Sequence, residues 1–120
     1  MATVLITDDA LFMRSMLQDI LQAAGHRVIG EAEDGAQAVK LYGVLKPDLV
    51  TLDVVMPGKS GPEVVKDLLA LDPRARIVMV SSISQIEVVE EALKLGAKAY
   101  VIKPFDPDRV KEAVAKALVL

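Results

Sequence analysis

Residues 49–58 read LVTLDVVMPG, and this run is the strongest single indication of the fold. Its first four residues are apolar or β-branched without alternating charge, a pattern typical of a strand buried on both faces of a parallel sheet. The run ends at Asp53, and Pro57-Gly58 then break the chain in a turn. The sequence therefore predicts a central strand over residues 49–53 that presents a carboxylate at its carboxyl end, where a charge requires a chemical reason.

Four further apolar runs flank this strand, and segments with helical spacing of apolar residues separate them. The other strands are predicted at residues 4–7, 27–32, 77–80 and 99–102. The helices are predicted at residues 13–24, 36–45 and 62–69, around 89–93, and at 107–118. Strands that alternate with helices in this way predict an α/β fold, with a parallel sheet covered on both faces through right-handed crossovers.

Cap residues set the helix boundaries. Gly25 is expected to end the first helix, Asp34 to start the second and Asp106 to start the fifth. One of Ser81 and Ser82 is expected to cap the fourth helix.

Three residues that often mark ligand sites receive no functional role here. Met13 and Met16 lie at core spacing in the first helix and are interpreted as core residues. His26 follows a helix end and is interpreted as a surface residue.

Composition excludes several classes of function. The 120 residues suffice for one domain, and the net charge of −3 with a pI of about 5.1 argues against direct binding to nucleic acid or an anionic membrane. The absence of cysteine excludes thiol catalysis and disulfides and favours a cytoplasmic protein. The first residues lack a basic segment, and no apolar run is long enough to span a bilayer.

Polar residues follow four of the five strands, at the edge where parallel α/β sheets bind ligands. They are Asp8 and Asp9 after the first strand, Asp53 after the third, Ser81 and Ser82 after the fourth, and Lys103 after the fifth. Carboxylates gathered there repel each other, by about 4 kcal/mol per ionised pair at about 4 Å and an effective dielectric of about 20. A hard divalent cation such as Mg²⁺ would relieve this repulsion.

The same edge suits phosphoryl transfer. A carboxylate can act as the nucleophile and form an aspartyl phosphate, with a metal and a lysine neutralising the transferred oxygens. Asp53 suits the nucleophile because it stands alone on the central strand, and the Asp8-Asp9 pair suits the metal. Ser81 can donate a hydroxyl and Lys103 an ammonium to the phosphoryl oxygens.

These residues resemble those of the receiver domain of two-component response regulators, most closely its single-domain chemotaxis branch, the CheY type. The resemblance covers the whole chain, residues 1–120, and rests on motifs that are weak singly and specific in this order. They are the Asp8-Asp9 pair, LDVVMP at residues 52–57, Ser81, and AYVIKPF at residues 99–105. The resemblance implies a flavodoxin-like sheet of five parallel strands in the order 2-1-3-4-5, with five helices on both faces.

The resemblance also implies roles for the acidic residues. Asp53 would accept a phosphoryl group from a phosphohistidine of a sensor histidine kinase. Asp9 would bind Mg²⁺ directly, Asp8 largely through water, and Val55 through its backbone carbonyl; Asp53 would complete the metal site. Mn²⁺ is the alternative ion. The protein would act by binding partners rather than as an enzyme.

On the output side, the resemblance implies a switch. Ser81 and Lys103 would contact the phosphoryl group, and the Lys103-Pro104 peptide bond would be cis. Tyr100 would turn inward as Ser81 moves towards the phosphate, changing the face formed by the fourth helix, fifth strand and fifth helix. The implied target is the flagellar motor switch, bound by a monomer without direct DNA or membrane contact.

Two departures from the family pattern bear on function. Val55 and Ile83 lie two residues after Asp53 and Ser81, at positions that flank the phosphoryl group in the family. Apolar side chains there cannot orient an attacking water, so we expect slow self-dephosphorylation. Lys59-Ser60 replaces an apolar residue and an acid in the following loop, away from the site.

Other classes of protein share parts of this pattern. A phosphorelay intermediate, or a receiver excised from a larger regulator, would have much the same sequence. A phosphatase of the haloacid dehalogenase type would need a general acid two residues after the nucleophile, where this chain has Val55. A flavin or nucleotide carrier would need a phosphate-binding loop after the first strand, where this chain has Asp8-Asp9.

Overall fold

A computed structural model describes residues 1–119 as an alternation of strands and helices. Leu120, the last residue of the predicted domain, lies outside the described residues. The strands are β1 Thr3–Thr7, β2 Arg27–Ala32, β3 Leu49–Asp53, β4 Ile77–Ser81 and β5 Ala99–Ile102. The helices are α1 Leu11–Ala23, α2 Gly35–Leu45, α3 Gly61–Leu71, α4 Ile86–Leu95 and α5 Pro107–Val119, with a short 3₁₀ turn at Ile83–Gln85.

The strands form one sheet, and every neighbouring pair is parallel. Their order is β2-β1-β3-β4-β5, which confirms the flavodoxin-like order. The chain reverses its direction of winding between β1 and β3, the position at which sheets of this type bind ligands beyond the strand ends. Asp53 ends the central strand.

Two apolar clusters cover the two faces of the sheet. On one face Leu5, Leu52 and Met79 of the strands pack with α2, α3 and α4. On the other face Val4, Ile6 and their neighbours pack with α1 and α5. All five residues of β3 are buried, as its unbroken apolar pattern predicts.

Side-chain caps explain where α2 and α3 begin. Asp34 accepts a hydrogen bond from the backbone N–H of Gln37, as expected for the residue that starts α2. At α3, Ser60 and Glu63 form a reciprocal capping box. Lys59 adds an ion pair with Asp67 over 2.6 Å. The loop residues that depart from the family pattern therefore stabilise the start of α3.

The fourth helix begins at Ile86, further along the chain than a cap at Ser81 or Ser82 implies. A 3₁₀ turn at Ile83–Gln85 intervenes, and neither that turn nor α4 has a side-chain cap at its start. The expectation that Ser81 or Ser82 caps this helix was wrong. Ser82 instead contacts Ser84 through their hydroxyls at 2.9 Å, because the extra turn places the helix start beyond its reach.

The apolar stripe of α1 also differs from its prediction. Met13 and Met16 are half-buried and lie outside the two core clusters, whereas Arg14 is buried. The interpretation of the methionines as core residues was therefore only partly right.

His26 is half-buried, and its Nδ1 accepts a hydrogen bond from the N–H of Ala2 over 3.1 Å.

Within residues 1–119, no helix combines the length and the apolar character needed to cross a bilayer.

Candidate functional site

The carboxyl edge of the sheet gathers the residues that the sequence places after its strands. Lys103 Nζ lies 3.1 Å from Asp8 Oδ2 and 3.1 Å from Asp53 Oδ2, so one ammonium bridges two carboxylates. Strand pairing brings Asp8, Asp53 and Lys103 to the same edge of the sheet. Because β1 and β5 lie on opposite sides of the β3–β4 pair, Asp8 and Lys103 approach Asp53 from the two sides. The N–H of Lys103 donates to the carbonyl of Ser81 over 2.7 Å, which joins the ends of β4 and β5.

Asp8 is held in place at several atoms. Its N–H donates to the carbonyl of Ala32 over 3.0 Å, and its Oδ1 accepts from the N–H of Ala10 over 2.9 Å. Its side chain is buried, whereas Asp9 is exposed to solvent. The pair thus offers one fixed carboxylate and one accessible carboxylate.

Asp53 is a buried acid in an unfavourable electrostatic setting. The residue is only 5% exposed, and its Oδ1 accepts a long hydrogen bond of 3.3 Å from the N–H of Val55. Burial and repulsion by Asp8 raise the pKa of Asp53, although Lys103 opposes the shift. Burial alone would lower the pKa of Lys103, but attraction by Asp53 and Asp8 raises it above its ordinary value. The arrangement therefore leaves negative charge that one lysine does not neutralise.

The acidic group fits a hard divalent cation. Asp8, Asp9 and Asp53 each offer an oxygen, and these oxygens all lie within 4.8 Å of one another. Carboxylate oxygens are the donors that Mg²⁺ and Mn²⁺ accept, and the exposure of Asp9 leaves room for retained water. The three predicted carboxylates therefore lie close enough together to share one ion.

Ser81 lies at the site, but its hydroxyl donates to the backbone rather than to a group of the site. The residue is fully buried at the end of β4, and its Oγ donates to the backbone carbonyl of Ser82 over 3.1 Å. A hydroxyl has a rotatable bond at Cβ, so a rotamer change can exchange this partner for a new acceptor.

Val55 and Ile83 present apolar side chains to solvent in the loops that follow β3 and β4. Val55 is 53% exposed and Ile83 is 77% exposed, while Asp53 and Ser81 beside them are buried. Exposed hydrocarbon thus lies two residues beyond buried Asp53 and two residues beyond buried Ser81. Neither side chain can donate or accept a hydrogen bond.

Tyr100 lies on the edge strand β5, and its residue is 44% exposed. It lines a groove of about 540 Å³ between β5 and α5, together with Arg109 and Lys116. Beside it, the Lys103-Pro104 peptide bond is cis. The predicted switch residue therefore lies on the predicted output face in an outward position.

Arg14 is a buried residue of the site that sequence reasoning missed. It is 8% exposed, and its Nη1 donates to the backbone carbonyl of Asp8 over 2.7 Å. The available signal was its place in the apolar stripe of α1 together with the acids Glu31 and Glu33 at the end of β2. A charge at a core position requires a partner.

Comparison with protein families gives a match over most of the chain. The family model of the response regulator receiver domain matches residues 4–115.

Individual relatives agree with this match. The chain is 50% identical to a chemotaxis protein CheY of Thermotoga maritima over 113 residues, 94% of each protein. It is 32% identical to the sporulation initiation phosphotransferase F of Bacillus subtilis over 117 residues, 98% of this chain and 94% of the relative. Among solved structures, the CheX–CheY–BeF₃–Mg²⁺ complex of Borrelia burgdorferi has a chain with a TM-score of 0.90 and 33% identity, covering 98% of this chain and 90% of that one.

Proposed function

The chain belongs to the response regulator receiver domain family, and from that premise we propose that it is a phosphoacceptor of two-component signalling, with Asp53 as the acceptor. The observation that carries the proposal is the contact of one lysine with two buried carboxylates at the carboxyl edge. A structural ion pair needs only one acid, whereas two acids and a lysine suit a phosphoryl group and a cation.

The proposed reaction transfers a phosphoryl group from a phosphohistidine of a sensor kinase. A carboxylate oxygen of Asp53 attacks phosphorus, the new P–O bond forms as the P–N bond breaks, and the imidazole leaves with the electron pair. Lys103 already lies within 3.1 Å of Asp53 and is placed to neutralise a phosphoryl oxygen. Ser81 is placed to donate its hydroxyl to another oxygen after a rotamer change.

Asp8, Asp9 and Asp53 would hold Mg²⁺ together with the backbone carbonyl of Val55, and Mn²⁺ is the alternative ion. When bound, such an ion neutralises charge on the transferred oxygens. The protein's own contribution is to keep two of these carboxylates buried and close together, so little rearrangement is needed on binding.

Intact mass tests the acceptor directly. Incubation of the purified protein with acetyl phosphate and Mg²⁺ should add one phosphoryl group, and Asp53→Asn should abolish the gain. Asp48→Asn is the matched control, because Asp48 is an aspartate at the opposite edge of the sheet. An equal gain in Asp53→Asn would refute the assignment, as would no gain in the unaltered protein.

We also propose that the phosphoryl group is long-lived. Val55 and Ile83 cannot orient an attacking water, and both are exposed, two residues after buried Asp53 and buried Ser81 respectively. Val55→Asn supplies an amide at that position and should shorten the half-life of the phosphoprotein, measured by loss of phosphate over time. Val55→Leu is the apolar control. A half-life in Val55→Asn equal to that of the unaltered protein would contradict the proposal.

The proposed output is a change of the face formed by α4, β5 and α5. Phosphorylation replaces the single charge of the Asp53 carboxylate by a phosphoryl group that carries about −1.5 to −2. Movement of the Ser81 hydroxyl towards that charge would leave space for Tyr100, which starts from an outward position. The similarity to chemotaxis proteins favours the flagellar motor switch as the target.

A role as phosphorelay intermediate is the second candidate, supported by the similarity to the sporulation phosphotransferase. A relay protein passes its phosphoryl group on to a second histidine, whereas a motor regulator binds its target while phosphorylated. Loading the protein with a beryllofluoride mimic and testing binding to the purified motor switch protein separates the two. Binding by the loaded form alone supports the motor target.

A further inference from the structure

The guanidinium of Arg14 joins the ends of two strands beside the acidic site. Its Nη1 donates to the backbone carbonyl of Asp8 over 2.7 Å, and its Nε donates to Glu31 Oε1 over 2.9 Å. Its Nη2 also lies 4.0 Å from Glu33 Oε1. The bridge links β1 and β2 through a side chain of α1.

Strand geometry explains why Glu31 meets Arg14. Ala32 pairs with Thr7 and is fully buried. Since neighbouring side chains of a strand point to opposite faces, Glu31 points away from the face of Ala32 and lies on the face that α1 covers. Glu33 follows directly after the strand, and its carboxylate lies 4.0 Å from the same guanidinium. The sequence pattern predicts no functional residue at the end of β2. This strand end thus supplies the negative charge that pairs with Arg14.

The atom that Arg14 holds is significant for the metal site. The carbonyl of Asp8 belongs to the peptide group that connects Asp8 to Asp9, and a peptide group is planar. Fixing that oxygen fixes the orientation of the whole plane and hence the directions in which the two acids leave the backbone. The carboxylate of Asp8 has its own contacts with Ala10 and Lys103, but the exposed Asp9 relies on the backbone.

We infer that Arg14 is a positioning residue for the divalent-cation site: it holds the Asp8–Asp9 peptide so that both carboxylates are ready to bind. The inference rests on the proposed function, since it assumes that these acids bind a cation. It assigns Arg14 no contact with the ion or the phosphoryl group. Without the guanidinium the turn would have to become ordered on binding, which weakens affinity.

Calorimetric titration with Mg²⁺ tests the inference without any turnover. Arg14→Met keeps most of the apolar stem and removes the guanidinium, and we expect its Mg²⁺ affinity to fall by about tenfold, a typical effect of losing a group that orients ligands. Arg14→Lys should recover part of the loss. Hydrogen exchange at the Ala10 amide, which donates to Asp8, should become faster in Arg14→Met.

Leu21→Val is the matched control, because it loosens the packing of α1 two turns beyond Arg14. We expect it to leave Mg²⁺ affinity unchanged. Equal affinity of Arg14→Met and the unaltered protein would overturn the inference, as would an equal fall in Leu21→Val. If Arg14→Met does not fold, Glu31→Gln gives the same test through the partner of the guanidinium. Absence of Mg²⁺ binding in the unaltered protein would instead overturn the proposed function itself.

Discussion

The two edges of the sheet carry aspartates in opposite electrostatic situations. At the amino edge, Asp48 accepts hydrogen bonds from the N–H and the hydroxyl of Thr3 at 2.9 and 3.1 Å. Those bonds, the backbone one first, lower the pKa of Asp48. At the carboxyl edge, burial and Asp8 raise the pKa of Asp53. The same residue type is stabilised as an anion at one edge and disfavoured at the other.

The difference separates a structural role from a functional one. Within residues 1–119, the carboxylate of Asp48 accepts hydrogen bonds only from neutral donors, the N–H and the hydroxyl of Thr3, so its charge contributes to the fold. Asp53 shares Lys103 with a second acid, so part of its charge remains unneutralised and available to a ligand. Proteins commonly accept such local destabilisation at sites that bind something else.

The largest expected effect comes from removing the ammonium group of Lys103 at the carboxyl edge. Lys103→Met should slow phosphorylation by acetyl phosphate by about 10²-fold, the usual effect of removing one charge-stabilising donor from a reaction site. The rate is measured by intact mass over time at fixed Mg²⁺.

Strand β5 supplies its own control for that experiment. Lys98 precedes the strand at the amino edge and Lys103 follows it at the carboxyl edge. Lys98→Met should therefore leave the rate unchanged. Equal slowing in the two variants would mean that net charge, and not the contact with Asp53, controls the reaction.

The next effect concerns stability. Asp53→Asn should raise the free energy of unfolding by about 1–2 kcal/mol at neutral pH without divalent cations, because the variant lacks the disfavoured charge. The folded protein holds the proton of Asp53 more tightly than the unfolded chain, so the unaltered protein loses stability as pH rises through the raised pKa. The advantage of Asp53→Asn should therefore disappear on acidification. Urea unfolding at neutral and acid pH measures it.

Asp48→Asn should show the opposite sign. The pKa of Asp48 is lowered in the folded state, so its contribution is present at neutral pH and is lost as pH falls through that lowered value. The variant should be less stable than the unaltered protein at neutral pH, with the difference vanishing in acid. If both variants shifted stability in the same direction, the contrast between the edges would not hold.

The smallest expected effect is on the free energy of unfolding and concerns Thr51, which lies in the middle of β3, between the two edges of the sheet. Among the described residues, the buried hydroxyl of Thr51 has no hydrogen-bond partner. Thr51→Val removes this unpaired group and should raise the free energy of unfolding by about 1 kcal/mol. Thr3→Val is the control, because the Thr3 hydroxyl is paired with Asp48 and its loss should destabilise the protein. Urea unfolding distinguishes the two, and a destabilised Thr51→Val would contradict the prediction.

Local patterns predicted most of the fold. The apolar run that ends at Asp53 matches β3 at both ends, and Asp34 starts α2 as expected. Local signals failed where packing decides. The serines after β4 resemble helix caps, but α4 begins beyond a 3₁₀ turn. Arg14 is buried although arginine is usually exposed. The acceptors that make its burial possible are Glu31 on β2 and the Asp8 carbonyl after β1, and neither is local to α1.

The succession of strands and helices, and the polar residues that follow four of the strands, can be read from the chain alone, because apolar periodicity and turn residues act over a few positions. Which of those residues meet depends on how the strands pair in the folded sheet. Lys103 reaches Asp53 across 50 positions and Asp8 across 95, and no local preference encodes such distances. Strand order brings these groups together, and burial then gives Asp53 the environment in which its charge is disfavoured.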